Sequence, residues 1–410
     1  MSRTIPSLQL RDFTYDLPSD RIALHPLPER DASKLLVLTQ NGVIEHRIFR
    51  ELPEVLPSGS TMVVNRTRVI HARLHMQKPT GGMVEVFLTR PVAPSADPAV
   101  VLAASASSTW ECLIGGRNVT DGMELLHAAT GLRALVRRGI GAEATVELQW
   151  SDQRPLAEIL VRAGDIPLPP YIKRETTEDD ATRYQTVFAK SEGSVAAPTA
   201  SLHFTDGVLS RLEANDVQRV EVTLHVGLGT FKPVDVEDAV DHTMHRERYG
   251  ITRKAAAELA ERCRTNGHFL TVVGTTAMRT MESLFCLGAR IVRDGADSVV
   301  TADVGQWEAF DASLDAISRA EAMQALVDWM DTSGVEEIWG DTGIMIAPGC
   351  RIAMADALVT NFHQPGNTLM LLVAAMVGSR WRDVYTAALE NGYRFLSYGD
   401  SSLLMRQASA

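Results

Sequence analysis

Hydrophobic residues follow two rhythms along this chain. Between about residues 71 and 154 they fall at every second position, as in ValGluValPheLeu (84–88), TrpGluCysLeuIle (110–114), LeuArgAlaLeuVal (132–136) and AlaThrValGluLeu (144–148). A period of two is that of a half-buried strand. Gly81-Gly82, Gly115-Gly116, Asp121-Gly122 and the turn from Gly139 to Gly141 separate the runs. Short alternating strands joined by glycine turns predict a small antiparallel sheet or barrel.

Elsewhere the apolar runs are continuous. Residues 35–38 and 62–65 read as buried strands, and after Pro155 strands alternate with helical segments. HisPheLeuThrValValGly (268–274) leads through Thr275-Thr276 into AlaMetArgThrMetGluSerLeu (277–284), apolar at helical spacing. MetAlaAspAlaLeuValThr (354–360), a polar loop and an apolar helix at 368–377 repeat that order. This pattern predicts an α/β fold with buried strands, in which a large α/β domain (1–70 and 155–410) carries an inserted small β-barrel domain (71–154).

Composition narrows the classes. At 410 residues, 45% hydrophobic and 22% charged, the chain can bury two or three cores. A net charge of −11 excludes a uniformly basic shell, so a polyanion would meet only a local basic face. Cys112, Cys263, Cys286 and Cys350 stand singly, which argues against disulfides and structural zinc. The first twenty residues turn polar too early for a secretion signal, and the apolar run 369–377 is too short to span a bilayer. A cytoplasmic protein is expected. Phosphate-loop, dinucleotide, zinc-protease and serine-hydrolase motifs are missing from the sequence.

What remains is a set of polar loops flanked by apolar runs. In 164–174, three prolines stiffen a rod from which Tyr171, Lys173 and Arg174 would project to stack a base and meet phosphates, or which is simply a linker. In 194–205, small residues permit close approach of a ligand, and His203 is an acid–base candidate or a structural histidine. In 224–234, strand-like alternation would set His225 and Gly227 on one side, with Gly227 and Gly229 leaving room for a flat group. His242 and His245 lack an obvious third ligand and sit beside Arg246 and Arg248, so no metal is expected. In 273–279, a helix start with Thr275, Thr276 and Arg279 suits a carboxylate or phosphate, although capping by Thr276 would explain the threonines. Asn361 and His363 end a strand, where open α/β sheets place ligands. Finally, 391–400 carries tyrosines, Ser397 and Asp400 at a tail that would dock back onto the core.

These stretches, in this order, resemble the S-adenosylmethionine:tRNA ribosyltransferase-isomerase family of queuosine biosynthesis. The resemblance runs from about Asp12 to Leu404 and includes HisProLeuProGluArgAspAlaSerLysLeuLeuValLeu (25–38) and ValAsnArgThrArgValIleHisAlaArgLeu (64–74). It departs from the family pattern at Gly343, where an Asp is usual, and at Arg246, where a small polar residue is. The resemblance implies transfer of ribose from S-adenosylmethionine, a co-substrate rather than a bound cofactor, to 7-aminomethyl-7-deazaguanine at the tRNA wobble position. Isomerisation then gives epoxyqueuosine, adenine and methionine. Such a reaction needs a base for the proton on the 5′-carbon beside the sulfonium, an acid for departing adenine and a socket for the methionine carboxylate. His203, His225 or His363 would supply acid–base function. Thr275, Thr276, Arg279, Asn361 and Asp400 would bind substrate, and Tyr171, Lys173, Arg174, Arg246 and Arg248 would touch tRNA. A monomer with no metal and no membrane contact is expected. The alternatives are a paralogue acting on another acceptor and a catalytically silent tRNA binder.

Overall fold

The computed structural model describes residues 5, 7–227 and 236–407. Its centre is a nine-stranded mixed sheet in the order Glu337–Thr342, Glu247–Thr252, Gln218–Leu224, Thr61–Asn65, Leu270–Val273, Ala357–Asn361, Ser401–Met405, Lys34–Leu38 and Ile44–Ile48. The four strands from Gln218–Leu224 to Ala357–Asn361 are mutually parallel. The tail does dock: Ser401–Met405 runs antiparallel to Ala357–Asn361 and parallel to Lys34–Leu38, completing the sheet interior.

Both faces of this sheet are covered, which is why its strands read as unbroken apolar runs. Leu36, Leu38, Val63, Val222, Val272 and Leu358 belong to one core with the helices Arg253–Arg264, Thr275–Asp294 and Arg319–Ser333. Their neighbours Leu35, Val37, Val64, Val273, Val359 and Leu403 belong to a second core, closed by Val208 and Leu212 of the helix Asp206–Ala214. Each such side chain, when fully buried, contributes roughly 1.5–3 kcal/mol.

The alternating segments form the expected antiparallel barrel. Arg73–Gln77, Met83–Ala93, Ser107–Gly115, Glu143–Gln149, Leu132–Arg138 and Glu124–His127 pair in sequence around it, and Gln77 opposite Leu126 closes the ring. Inward positions such as Val86, Trp110, Val136 and Val146 fill it, and Leu156, Ile159 and Leu160 of the helix Leu156–Ala163 pack into the same core. A short strand, Gly164–Asp165, extends this sheet from Arg73 and Leu74. A parallel two-stranded ladder, Thr67–Val69 with Ser191–Ser194, lies between barrel and large sheet in the chain path.

Two local expectations change. The strand containing Leu224 ends there, so His225 and Gly227 follow it in irregular backbone rather than alternating along it: the His225 N–H still meets Arg248 O in the same register, but the next N–H groups leave the ladder, Val226 for Ser194 Oγ and Gly227 for the Glu247 carboxylate. Gly229 lies outside the described residues. The proline segment also fails to project Tyr171 and Arg174. A turn closed by Ile172 N–H on Pro169 O brings both inward, leaving Lys173 exposed.

The helix Thr275–Asp294 packs tightly on Arg319–Ser333 at Gly288. A Cβ there would sit 2.2 Å from Ala322 O. Gly288→Ala is therefore expected to destabilise the fold by about 1–3 kcal/mol through overpacking, measured by urea unfolding.

Candidate active site

Parallel strands buried on both faces present their carboxyl ends along one edge, and this is where the polar loops meet. A pocket of about 690 Å³, open mouth included, is lined by Tyr171, residues 197–200, Val226, residues 274–276, residues 360–364 and Ser397. Six of the singled-out segments, from 164–174 to the tail, thus contribute to one site, and the segment holding His242 to Arg248 does not.

Two strand-terminal asparagines hold its segments together, Asn361 in the lining and Asn65 behind it. Asn65 donates to Leu224 O at 3.0 Å and Thr276 Oγ1 at 3.2 Å, and accepts from Leu224 N and Thr67 N. It locks adjacent strands to the first turn of the long helix. Asn361 accepts from Thr199 Oγ1 at 2.9 Å and donates to Asp400 O at 3.4 Å. A carbonyl only accepts, which fixes the amide orientation. Asn361 Nδ2 therefore also donates to His203 Nε2, at 3.2 Å, leaving the proton on Nδ1 for Ser33 Oγ at 2.8 Å. Burial, with Arg394 adding to it, pushes the His203 pKa down to about 3, so the ring is neutral.

The helix N-terminus beside these asparagines starts at Gly274, whose φ of 88° suits only glycine. Thr275 and Thr276 line the pocket next to the free N–H groups of that turn. Arg279, one turn on, points elsewhere. It is buried in an ion pair with Glu247 and also donates to Thr342 O at 3.3 Å. Glu247 additionally accepts from Gly227 N at 3.0 Å and approaches His245 Nε2 at 3.3 Å. Burial alone would raise its pKa, but Arg279 and His245 outweigh it and hold the carboxyl at about 2. Glu247 was invisible in the sequence because it stands between Arg246 and Arg248 and reads as part of a solvated charge run.

His363 is the histidine that lines the pocket. Its Nε2 pairs with Thr360 Oγ1 at 2.9 Å, its N–H meets Tyr385 Oη at 3.1 Å, and its carbonyl accepts from Tyr15 Oη. Burial pushes its pKa down to about 4. Asp400 is not part of the lining. It accepts the backbone N–H groups of Lys34 and Arg394 at 3.0 and 2.8 Å and thereby ties the tail to the sheet. Tyr171 reaches the pocket and bonds Ser397. Arg174 grips Asp180 with both guanidinium nitrogens at 2.6 and 2.7 Å. Burial opposes ionisation of Asp180, but Arg174, Thr177 and Tyr398 hold its pKa well below the usual range.

A second, wider cleft of about 2180 Å³, open mouth included, separates the barrel from the sheet. The barrel contributes Arg90, Arg137 and Arg138, and the other wall His225, Arg246 and Arg248. His225 stacks on Trp339 with centroids 5.8 Å apart, and burial pushes its pKa down to about 4. Arg248 lies 5.3 Å above the same ring. Arg246 pairs with Asp303 at 3.1 Å, and a Cβ at Gly343 would lie 3.8 Å from Arg246 Cγ, so the two departures from the family pattern are neighbours. Val226 lines both pocket and cleft. Among the described residues no three His, Cys, Asp or Glu gather to hold a metal, and no helix is long and apolar enough to cross a membrane.

An α/β sheet with a polar pocket at the carboxyl ends of its strands, opening beside a cleft lined by arginines and carboxylates against a barrel, defines an enzyme of the sheet-edge type. The family described as queuosine biosynthesis protein matches residues 10–404, and the chain belongs to it. It is 39% identical over 401 residues to the S-adenosylmethionine:tRNA ribosyltransferase-isomerase of Anaeromyxobacter sp. (strain Fw109-5), covering 97% of this chain and 99% of that one. It is 40% identical over 405 residues to the protein of the same name from Azoarcus sp. (strain BH72), covering 98% and 99%. A solved structure of S-adenosylmethionine tRNA ribosyltransferase from Thermotoga maritima is 28% identical and covers 96% of this chain and 100% of that one, with a TM-score of 0.46.

Two outcomes follow from this geometry. Glu247→Gln leaves the Arg279 guanidinium buried without its counter-charge and is expected to cost about 3–5 kcal/mol in urea unfolding. The pH dependence has a definite sign. His203, His225 and His363 sit below their ordinary value of 6.5, at about 3, 4 and 4. Below pH 6.5 the unfolded chain binds protons that the native chain refuses, so stability falls as pH drops from 6.5 towards 4. Urea midpoints should decline across that window, and His203→Asn should flatten the slope.

Proposed function

We propose that this protein transfers the ribosyl moiety of S-adenosylmethionine to 7-aminomethyl-7-deazaguanine at the wobble position of tRNA and isomerises it, giving epoxyqueuosine-tRNA, adenine and methionine. The observation that carries this reading is the convergence of six sequence-distant loops on one pocket, in a chain matched by its family from residue 10 to 404. S-adenosylmethionine acts as co-substrate, and the site of action is the cytoplasm.

In this reading the pocket takes the sulfonium nucleoside. Thr275, Thr276 and the free N–H groups of their turn bind an anionic or hydroxyl group, and Asn361 orients substrate beside them. His363 is the acid–base residue, because it is the one of the three candidate histidines that lines the pocket. Its lowered pKa keeps it in the free-base form at neutral pH, ready to take the proton beside the sulfonium. His203 is a positioning residue that fixes the Asn361 amide, and Arg279 and Asp400 position backbone. The tRNA enters by the wide cleft, where Arg246, Arg248 and the barrel arginines face it, and Lys173 adds an exposed charge. Tyr171 and Arg174 hold the proline segment in place. The pieces 1–70 and 166–410 form the catalytic unit, and the barrel, joined beyond the expected boundary at 154 by the helix Leu156–Ala163 and the strand Gly164–Asp165, is the unit that closes the cleft.

The purified protein, S-adenosylmethionine and tRNA bearing the aminomethyl base are expected to yield adenine and epoxyqueuosine by mass spectrometry. Absence of both products with folded protein overturns the reading. His363→Ala should lower adenine release by about a hundredfold or more. His203→Asn should lower turnover without changing the shape of the pH profile, since a positioning residue does not titrate in the reaction.

A further inference from the structure

Arg30, Arg183 and Arg394 surround a depression of about 290 Å³, open mouth included, with Ser33, Tyr398 and Ser397 in its wall. Ser397 also lines the main pocket. The guanidinium groups are held rigidly by backbone carbonyls. Arg30 donates to Gln185 O at 2.6 Å, Thr182 O at 2.8 Å and Leu202 O at 3.3 Å, and Arg183 donates to Leu27 O and to Pro28 O at 3.0 Å.

Carbonyls orient these groups but do not neutralise them. Among the described residues neither Arg30 nor Arg183 has a carboxylate partner, and the Arg183 Nε is buried without a hydrogen bond. Arg394 has Asp400 at 3.4 Å, an oxygen that already accepts Lys34 N. Nearby carboxylates are engaged elsewhere, Asp31 and Glu29 with Arg50, and Asp180 with Arg174 and Tyr398. Burial first, and Arg183 second, lower the Arg30 pKa, as expected where like charges face one another. Gathering cations without a counter-ion is costly, and a planar guanidinium fork is the donor that best matches an oxyanion.

We propose that this depression is an oxyanion subsite, occupied by a phosphate of the tRNA backbone or by the α-carboxylate of S-adenosylmethionine. The identity of the anion rests on the function proposed above, whereas the existence of the subsite does not. An anion held here would sit beside Ser397 and so be placed against the reacting pocket.

The test uses Arg183→Gln and Arg394→Gln, with Arg183→Lys as the charge-keeping control. Arg30 is left intact because it ties three carbonyls. Inorganic phosphate, compared with chloride at equal ionic strength, is expected to raise the wild-type Tm. Arg183→Gln and Arg394→Gln should lose most of that rise and Arg183→Lys should keep it. Equal phosphate responses in wild type and both glutamine variants overturn the proposal, whether or not the protein proves to bind RNA. The source is read from an anticodon stem-loop and from the KM for S-adenosylmethionine. If the anion is a tRNA phosphate, each glutamine variant makes the slope of log K against log salt shallower by roughly 0.7–0.9 for every phosphate it ceases to neutralise, with KM unchanged. If it is the carboxylate, KM rises about tenfold or more and the salt slope stays as it is. Variants that move neither quantity also overturn it.

Discussion

Four parallel strands buried on both faces cannot release polar side chains sideways, so the polar groups that meet a ligand here come from their carboxyl ends. Asn65 and Asn361 end two of those strands and are themselves buried, and between them their side chains bond Leu224, Thr276, Thr199, His203 and Asp400, all distant in the chain. A buried amide must be satisfied completely, at a penalty of about 1–3 kcal/mol for each group left unpaired. That requirement pins the loop before Phe204, the start of the long helix and the end of the Gln218–Leu224 strand in one relative position. The pocket is the space those pinned segments leave between them.

Charge is organised around the same edge. Glu247 and Arg279 form a buried pair behind the helix start, so the arginine that looked free in the sequence is structural, while the N–H groups it stands beside stay open. The same division recurs at the tail, where Asp400 fastens the last strand and Arg394 is left facing Arg30 and Arg183. A chain with a net charge of −11 therefore gathers arginines in two walled places, the wide cleft beside the barrel, where Glu111, Glu143, Glu247 and Asp341 share the lining, and the depression beside Ser397. In walled sites of low dielectric, few charges suffice.

Much of the architecture was legible because it depends on periodicity. The runs at 84–88, 110–114, 132–136 and 144–148 became barrel strands, and 35–38 and 62–65 became the two-sided strands of the large sheet. Helix 275–294 followed the apolar spacing of Met278, Met281 and Phe285. The end of the strand at Leu224 was not legible, since the residues after it keep an alternating look while the N–H groups of Val226 and Gly227 turn from the ladder to the side chains of Ser194 and Glu247. Loop membership in the site was legible as polar density between apolar runs. The direction of each side chain was not: Thr275, Thr276, Asn361 and His363 line the pocket, whereas His203 and Arg279 lie behind it.

By itself the sequence determined the α/β class, the alternating barrel segments, the loops rich in chemistry and their family resemblance, because each is written in local spacing and order. Tertiary structure decided which titratable groups are exposed to a ligand and which are consumed by one another. Glu247 pairs with Arg279 across 32 residues and Asp400 with Lys34 N across 366, and no local pattern encodes partners so distant. Burial then set the protonation state, turning His203 from a candidate acid into a neutral donor to Ser33. Ionisation depends on desolvation and on neighbouring charge, and both exist only once the chain has folded.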